Sequence, residues 1–286
     1  MRWRTGRKSD NVEDRRGTRR VARPVVGGGL GIVVIVVVAM LFGVDPQVVL
    51  NIIQVGDSPV AHSPQTSSHP PQDDELANFV SVVLADTEDT WKELFRQGGK
   101  QYKEPKLVLF TGLVESACGR AQASTGPFYC PADQKVYIDL DFYRELKERY
   151  KAPGDFAQAY VIAHEIGHHV QTLLGISKQV HTLRQKMNQT QANKLLVRQE
   201  LQADCFAGIW AHHAHKARQV IEQGDVEEAL NAASSIGDDR LQKRSRGYAV
   251  PETFTHGTSA QRMHWFKTGI QTGDINACNT FEADIQ

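Results

Sequence analysis

Residues 155–175 read DFAQAYVIAHEIGHHVQTLLG, and this stretch decides the fold of the chain. An aspartate can cap its start and a glycine can end it, so the sequence predicts a helix here. His164 and His168 are four residues apart, which places both imidazoles on one helical face, one turn apart. Two such imidazoles can bind one metal ion, and Glu165 beside them can activate a metal-bound water. The stretch therefore predicts a helical metal site of the HExxH type.

A catalytic zinc site takes three protein ligands and keeps one position open, so a third ligand is needed. A third histidine six residues after His168 would fall at Leu174, which excludes that arrangement. His169 and His181 are nearby alternatives. His169 projects about 100° away from His168 on a helix, and His181 lies beyond the terminating glycine.

A carboxylate from a second helix is the alternative that we favour for the third ligand. Residues 198–207 read RQELQADCFA, in which Glu200 and Asp204 are four apart and share one face. Glu200 can bind the metal while Asp204 accepts a hydrogen bond from the free ring N–H of a liganding histidine. Gly167 and Ala203 are small enough to allow the close helix crossing that a shared metal requires.

An uncharged run precedes this region and predicts a membrane anchor. Residues 25–44 read VVGGGLGIVVIVVVAMLFGV, which as a helix spans a hydrocarbon core of about 30 Å. A cleaved signal peptide and a buried core helix are the alternatives. Residues 1–24 hold nine basic and three acidic side chains and are predicted to be a basic cytoplasmic segment. The remainder of the chain would then lie outside the cytoplasm.

The rest of the chain divides into a tether and one folded domain. Residues 45–72 contain five prolines and little apolar periodicity, which is typical of a tether, and residues 73–286 form the domain. Runs of strands followed by runs of helices predict an α+β fold. The predicted strands are 106–114, 127–130 and 135–140, and the predicted helices after Pro153 are 155–174, 178–190, 192–222, 226–236 and 259–272. A net charge of zero excludes a generally basic nucleic-acid binder.

The four cysteines all follow the apolar run, as expected for an oxidising compartment. Four cysteines allow three pairings. Cys118 and Cys130 are twelve residues apart in a turn-rich connection, and pairing them would leave Cys205 with Cys278. The absence of a CxxC motif from the sequence excludes a zinc ribbon.

Four segments carry a family resemblance, and they follow the apolar run in this order: ACGRAQASTGPFYCPADQKVYIDLDFY (117–143), HEIGHHVQ (164–171), ELQADCFAG (200–208) and FTHGTSAQR (254–262). The chain resembles the gluzincin metallopeptidases, and more closely the bacterial family called "putative neutral zinc metallopeptidase". The resemblance covers about residues 25–265. It implies a zincin-like domain, mainly helical with a small sheet, that holds one Zn²⁺ per chain on His164, His168 and Glu200, with Glu165 as the base.

The resemblance also implies roles outside the two metal-binding helices. His256 would donate a hydrogen bond to the oxyanion of the reaction, and Arg262 would be structural or bind a substrate carboxylate. An edge strand, either 135–140 or 106–114, would pair with an extended peptide substrate. The alternative that both segments are interior strands stays open.

The sequence thus predicts a membrane-anchored zinc peptidase that cleaves peptide bonds by Glu-assisted attack of a metal-bound water. Its expected place is the bacterial inner membrane, single-pass, with the N-terminus cytoplasmic and the catalytic domain extracytoplasmic. The expected partners are a peptide or protein substrate and the membrane, with no nucleic acid. Two alternatives stay open: an amidase of cell-wall peptides, and a catalytically silent, membrane-tethered interaction protein with a structural zinc site.

Overall fold

The structure is a computed structural model, and it describes residues 1–17, 74–122 and 126–283. The strands in these residues are β1 (Val12–Asp14), β2 (Lys106–Phe110), β3 (Leu113–Ser116), β4 (Gly119–Gln122), β5 (Phe128–Cys130) and β6 (Lys135–Asp139). The helices are α1 (Glu75–Gln97), α2 (Asp141–Glu148), α3 (Asp155–Leu173), α4 (Ile176–Arg184), α5 (Gln189–Arg218), α6 (Asp225–Ser235), α7 (Asp238–Arg246) and α8 (Ser259–Thr272). Short 3₁₀ turns lie at Pro251–Thr253 and Ile275–Cys278.

A small mixed sheet lies beside the helices, in the strand order β1-β2-β6-β5. β1 and β6 run parallel to β2, whereas β5 runs antiparallel to β6. β2 and β6 are buried along nearly their whole length, as expected of apolar strands that have a neighbour on each side. β3 and β4 form a separate antiparallel hairpin. Within the described residues, β5 is therefore the edge of the sheet next to β6.

The helical layer is built around α3, which packs against α5 and α6, while α5 packs against α8. Aromatic residues fill the core between the helices: Phe156 of α3 stacks on Trp210 of α5, with ring centroids 5.8 Å apart. The crossing of α5 and α8 requires glycine, since a Cβ at Gly269 would overlap the carbonyl oxygen of Cys205. α5 thus packs through a large aromatic side chain at Trp210 and through close backbone contact at Cys205.

The helix predicted over the HExxH stretch is confirmed, and glycines mark both of its ends. Gly154 precedes α3 with φ 118°, and Gly175 follows it with φ 80°. Asp155 occupies the first turn of the helix instead of the predicted capping position. The carboxylate of Glu228 on α6 accepts a hydrogen bond from the backbone N–H of Phe156 and so satisfies one free donor at the helix start.

The N-terminal segment belongs to the folded domain. Residues 1–16 form one compact unit with residues 74–122 and 126–283. β1 is hydrogen-bonded to β2, and Ser9 and Asn11 both donate to the carboxylate of Glu88, which is 1 % exposed. This corrects the prediction of a separate basic segment, because side chains near β1 pair with groups of the domain instead of remaining solvated.

The same pairing constrains the predicted membrane topology. A strand that is hydrogen-bonded into a sheet lies on the same side of a membrane as that sheet, and β1 shares a sheet with β2. A single crossing with the N-terminus in the cytoplasm and the domain outside is therefore incompatible with this fold. The predicted anchor at 25–44 and the predicted tether at 45–72 both lie outside the described residues. Among the described residues, no helix is long and apolar enough to cross a membrane.

The α+β class, mainly helical with a small sheet, is confirmed. The strand predicted at 106–114 is broken in two, because the chain turns at Gly112 with φ 76° and continues as β3 in the hairpin. Both segments predicted as possible edge strands, 106–114 and 135–140, contain interior strands, namely β2 and β6. Of the two alternatives, the structure favours interior strands for both segments, and β5 lies at the edge next to β6.

Candidate metal centre

Two helices bring three predicted ligands together. His164 and His168 lie one turn apart on α3, with ring centroids 4.8 Å apart, and Glu200 faces them from α5. The Nε2 atom of His164 is 3.2 Å from one carboxylate oxygen of Glu200, and the Nε2 atom of His168 is 3.3 Å from the other. The potential ligand atoms of the three residues all lie within 4.8 Å of one another.

This donor set fits Zn²⁺. Two imidazole nitrogens and one carboxylate oxygen are ligands that zinc accepts, and three protein ligands leave one coordination position open. In each histidine the Nδ1 atom is hydrogen-bonded elsewhere, to Asp204 from His164 and to Gln171 from His168, so that Nε2 is the nitrogen directed at Glu200. Partners on Nδ1 are the usual companions of metal-binding histidines.

Asp204 orients His164, as predicted from its position one turn after Glu200. Its Oδ1 atom is 2.8 Å from Nδ1 of His164. The guanidinium of Arg262 donates to both carboxylate oxygens, at 2.8 and 2.9 Å, and the hydroxyl of Tyr160 donates to Oδ1. Asp204 is fully buried and Arg262 is 3 % exposed, so the pair is shielded from water. Of the two roles predicted for Arg262, these contacts favour the structural one.

Charge in this cluster shifts the pKa values in opposite directions. Burial alone would lower the pKa of His164, but the Asp204 carboxylate outweighs it and raises that pKa to about 10. Burial alone would raise the pKa of Asp204, but Arg262 and His164 lower it to about 2. Burial would also raise the pKa of Glu200, which His168 and His164 bring well below its usual value. A cation bound between these carboxylates would take the place of the protons on the imidazoles.

The ligands line a cavity of about 350 Å³, and Glu165 lines the same cavity. Glu165 follows His164 directly on α3 and is 8 % exposed. Glu165 therefore lines the cavity that the three candidate ligands share, as a general base requires. Apolar and aromatic side chains also line this cavity, namely Phe128, Phe142, Tyr150, Ile236 and Leu241.

His256 also lines the cavity, and a carboxylate from α7 holds it there. Its Nδ1 atom lies 3.3 Å from Oδ1 of Asp238, and this contact is the main reason that the pKa of His256 is raised. The other oxygen of Asp238 accepts backbone N–H bonds from Thr255, His256 and Gly257. Sequence analysis missed Asp238, because nothing in its spacing from His256 indicates the contact.

The other histidine alternatives for the third ligand lie elsewhere. His169 is fully buried, accepts a hydrogen bond at Nδ1 from the hydroxyl of Tyr129, and donates from Nε2 to the backbone carbonyl of Lys103. Nε2 of His181 contacts the side chain of Gln185 on the exposed side of α4. The structure therefore places the carboxylate of Glu200, and neither of these histidines, against the pair on α3.

The four cysteines form two disulfides, one of the three pairings that the sequence allows. Cys118–Cys130 joins the β3–β4 hairpin to β5, and Cys205–Cys278 joins α5 to the 3₁₀ turn near the C-terminus. The second bond lies one residue after Asp204 on the metal-binding helix. It therefore fixes the C-terminal turn beside the candidate metal centre.

Comparison with known proteins assigns the family. The model of a family described as "Putative neutral zinc metallopeptidase" matches residues 1–281. The chain belongs to this family. Its description names zinc and a peptidase, in agreement with the donor set on α3 and α5.

Similar proteins align with all or most of the chain. The chain is 52 % identical to "Uncharacterized protein YpfJ" of Escherichia coli K12, over 293 aligned positions that cover all of both proteins. It is 41 % identical over 256 positions to "Uncharacterized protein Mb2605" of Mycobacterium bovis and to "Uncharacterized protein Rv2575" of Mycobacterium tuberculosis, with 86 % of this chain and 85 % of each relative covered. No solved structure matches the chain.

Proposed function

We propose that the protein is a zinc-dependent peptidase, with one Zn²⁺ held by His164, His168 and Glu200. The observation that carries the proposal is the convergence of these three ligands beside Glu165 in one cavity. A structural zinc site is closed by four protein ligands, whereas a catalytic one leaves a position open. Three ligands next to a carboxylate that faces the cavity support catalysis. The zinc named in the family description supports the same metal.

Glu165 acts as the general base and then as the general acid. Zinc in such a site supplies Lewis acidity, which acidifies water and polarises the substrate carbonyl. Glu165 takes a proton from the attacking water as the new C–O bond forms, and it passes a proton to the amide nitrogen as the C–N bond breaks. The products are a carboxylic acid and an amine, which exchange a proton to become a carboxylate and an ammonium ion, and the carboxylate of Glu165 is restored at the end of the cycle.

His256 donates a hydrogen bond to the oxygen of the substrate carbonyl as negative charge develops there. Its imidazole lines the cavity, and the contact with Asp238 at Nδ1 leaves Nε2 as the nitrogen available to substrate. The raised pKa of His256 favours the protonated ring, which is a strong donor to an oxyanion. Asp238 thus orients the imidazole as well as maintaining its charge.

An extended peptide would bind along β5. This strand pairs with β6 on one side, and its Phe128 and Tyr129 line the cavity. Backbone groups at a sheet edge form hydrogen bonds with an added strand regardless of its sequence. Peptide-bond hydrolysis with main-chain recognition follows from this arrangement, and the same geometry would accept a peptide of the cell wall as an amide substrate.

The test is the Glu165→Gln variant. It keeps the size of the side chain and leaves the three ligands in place, so it is expected to bind one zinc per chain and to lose peptidase activity on a fluorogenic peptide library by at least about 100-fold. Glu148→Gln, on the exposed end of α2, is the matched control and is expected to keep full activity. Full activity of Glu165→Gln would refute the assignment. Zinc bound stoichiometrically by a wild-type protein without any turnover would favour the catalytically silent interaction protein.

We also propose that the folded domain lies outside the bacterial cytoplasm. The two disulfides support this location, because the cytoplasm keeps thiols reduced. Membrane attachment at residues 25–44 has to leave β1 and the domain on one side, since they share a sheet.

Cysteine labelling in intact cells tests this location. Thr5→Cys and Lys147→Cys introduce thiols at exposed positions of the N-terminal segment and of α2. A membrane-impermeant maleimide is expected to label both variants. Labelling of Lys147→Cys alone would contradict the shared side, and labelling of neither would contradict the extracytoplasmic location.

A further inference from the structure

The second metal-binding histidine has a partner that is a neutral amide instead of a carboxylate. The Nδ1 atom of His168 is 2.9 Å from Oε1 of Gln171, one turn further along α3. Gln171 is fully buried. Its Nε2 atom donates to the backbone carbonyl of Gln199 at 2.7 Å and to Oε1 of Gln202 at 3.1 Å. All three of these contacts lie beside the candidate metal centre.

These contacts determine which way the amide of Gln171 points. A side-chain amide has two N–H donors on one end and an acceptor oxygen on the other. The backbone carbonyl of Gln199 accepts only, so the nitrogen of Gln171 has to face α5 and the oxygen has to face His168. His168 therefore carries its proton on Nδ1. The lone pair of the neutral imidazole is then on Nε2, the atom directed at Glu200.

We propose that Gln171 is a positioning residue that holds His168 in the metal-binding tautomer and links it to the helix that carries Glu200. The inference rests on the proposed zinc site. Gln171 contacts His168 with one end of its amide and the carbonyl of Gln199, which directly precedes Glu200, with the other. One side chain thus links the second histidine to the carboxylate ligand on α5.

Gln202 extends this link to the C-terminal part of the chain. Its Nε2 atom donates to the backbone carbonyl of Cys278 at 3.1 Å, and Cys278 is in a disulfide with Cys205. A chain of hydrogen bonds therefore runs from His168 through Gln171 and Gln202 to a covalently fixed turn. The position of His164 is thus fixed by the charged pair of Asp204 and Arg262. The position of His168 is fixed by the side-chain amides of Gln171 and Gln202, which lead to the disulfide.

The test compares zinc binding by wild-type protein, Gln171→Met and Gln171→Glu, with Zn²⁺ added alone and a chromophoric chelator as competitor. Methionine fills nearly the same volume without hydrogen bonds, and it is expected to weaken zinc binding by about 10- to 100-fold. Glutamate keeps an acceptor for Nδ1–H of His168 and is expected to recover part of that affinity. Gln158→Met changes a half-buried glutamine near the start of α3 and is expected to bind zinc like wild type.

A spectroscopic readout separates positioning from general loss of packing. In protein with ¹⁵N-labelled histidine and bound zinc, the Nδ1–H proton of His168 is expected to exchange slowly with water in wild type and in Gln171→Glu, and faster in Gln171→Met. Wild-type affinity and exchange in Gln171→Met, or equal losses in both Gln171 variants, would overturn the inference while the zinc site stands. A wild-type protein that binds no zinc would overturn the proposed function, and this inference with it.

Discussion

Gly167→Ala tests whether the close crossing of α3 and α5 is what assembles the metal centre. Gly167 lies between the two histidine ligands, and a Cβ there would be 2.9 Å from the carbonyl oxygen and 3.0 Å from the Cα of Ala203. Ordinary contacts begin at 3.4 Å, so the helices have to separate by about 0.5 Å at this point. Metal–ligand distances tolerate changes of only about 0.2 Å. We expect zinc affinity to fall by about 10- to 100-fold.

The same variant is expected to keep its fold, which makes the result interpretable. Overpacking costs about 1–3 kcal/mol, whereas alanine in place of glycine inside a helix gains about 1 kcal/mol. Gly98→Ala is the matched control, because Gly98 has φ −80° at the end of α1 and its Cβ would have nearest neighbours at 3.5 and 3.6 Å. Chelator competition and urea unfolding are measured on both variants. Unchanged zinc affinity in Gly167→Ala would refute the argument that helix separation controls the site.

Three further outcomes are expected. Asp204→Asn leaves Arg262 buried without its countercharge and should lower the free energy of unfolding by about 3 kcal/mol in urea titrations; an unchanged value would contradict the role of this pair. Burial lowers the pKa of His169 to about 4 from 6.5, so its contribution to stability, about 3 kcal/mol, is present above pH 6.5 and is lost as the pH falls to 4; the difference in unfolding free energy between wild type and His169→Gln should follow that titration. Glu88→Ala removes the buried acceptor of Ser9, so limited proteolysis should cut residues 1–17 faster than in wild type, and equal rates would count against this anchor.

The convergence of the candidate ligands could be predicted from the sequence, because it depends on residue spacing within two helices. A spacing of four residues fixes a shared helical face, and this rule placed His164 with His168 and Glu200 with Asp204. Small residues at the crossing indicated that the two faces could meet. The residue spacing within each helix thus predicted half of the candidate site, and only the contact between the two helices remained to be inferred.

The position of Asp238 was not accessible in the same way. It lies eighteen residues before His256, on a short and very polar helix whose sequence shows no apolar periodicity. Its carboxylate reaches the loop of His256 through backbone N–H groups, which any residue type can supply. A contact made by backbone groups therefore cannot be predicted from the residue types in the sequence.

Strand order was the other property that the sequence did not reveal. The sequence left open whether 106–114 and 135–140 hold edge or interior strands, and the structure places β2 and β6 in the interior. β1 was not predicted because the arginines near it were interpreted by the positive-inside rule as a cytoplasmic segment. Its partner β2 also lies more than ninety residues away in the chain. The charge and hydropathy of a segment do not indicate which strand it pairs with in the sheet.

Three independent links between α3 and α5 explain how the site can be preformed. Backbone contact at Gly167 sets the distance between the helices, the carboxylate of Asp204 holds the ring of His164, and the amide of Gln171 holds the ring of His168. Each link acts on a different atom, so the loss of one leaves the other two in place. Arg262 fixes Asp204 by hydrogen bonds, and the Cys205–Cys278 disulfide fixes the turn that Gln202 contacts. The ligands therefore do not depend on the metal to bring them together. A preorganised site of this kind lets binding energy be used for substrate and transition state instead of for assembling the site.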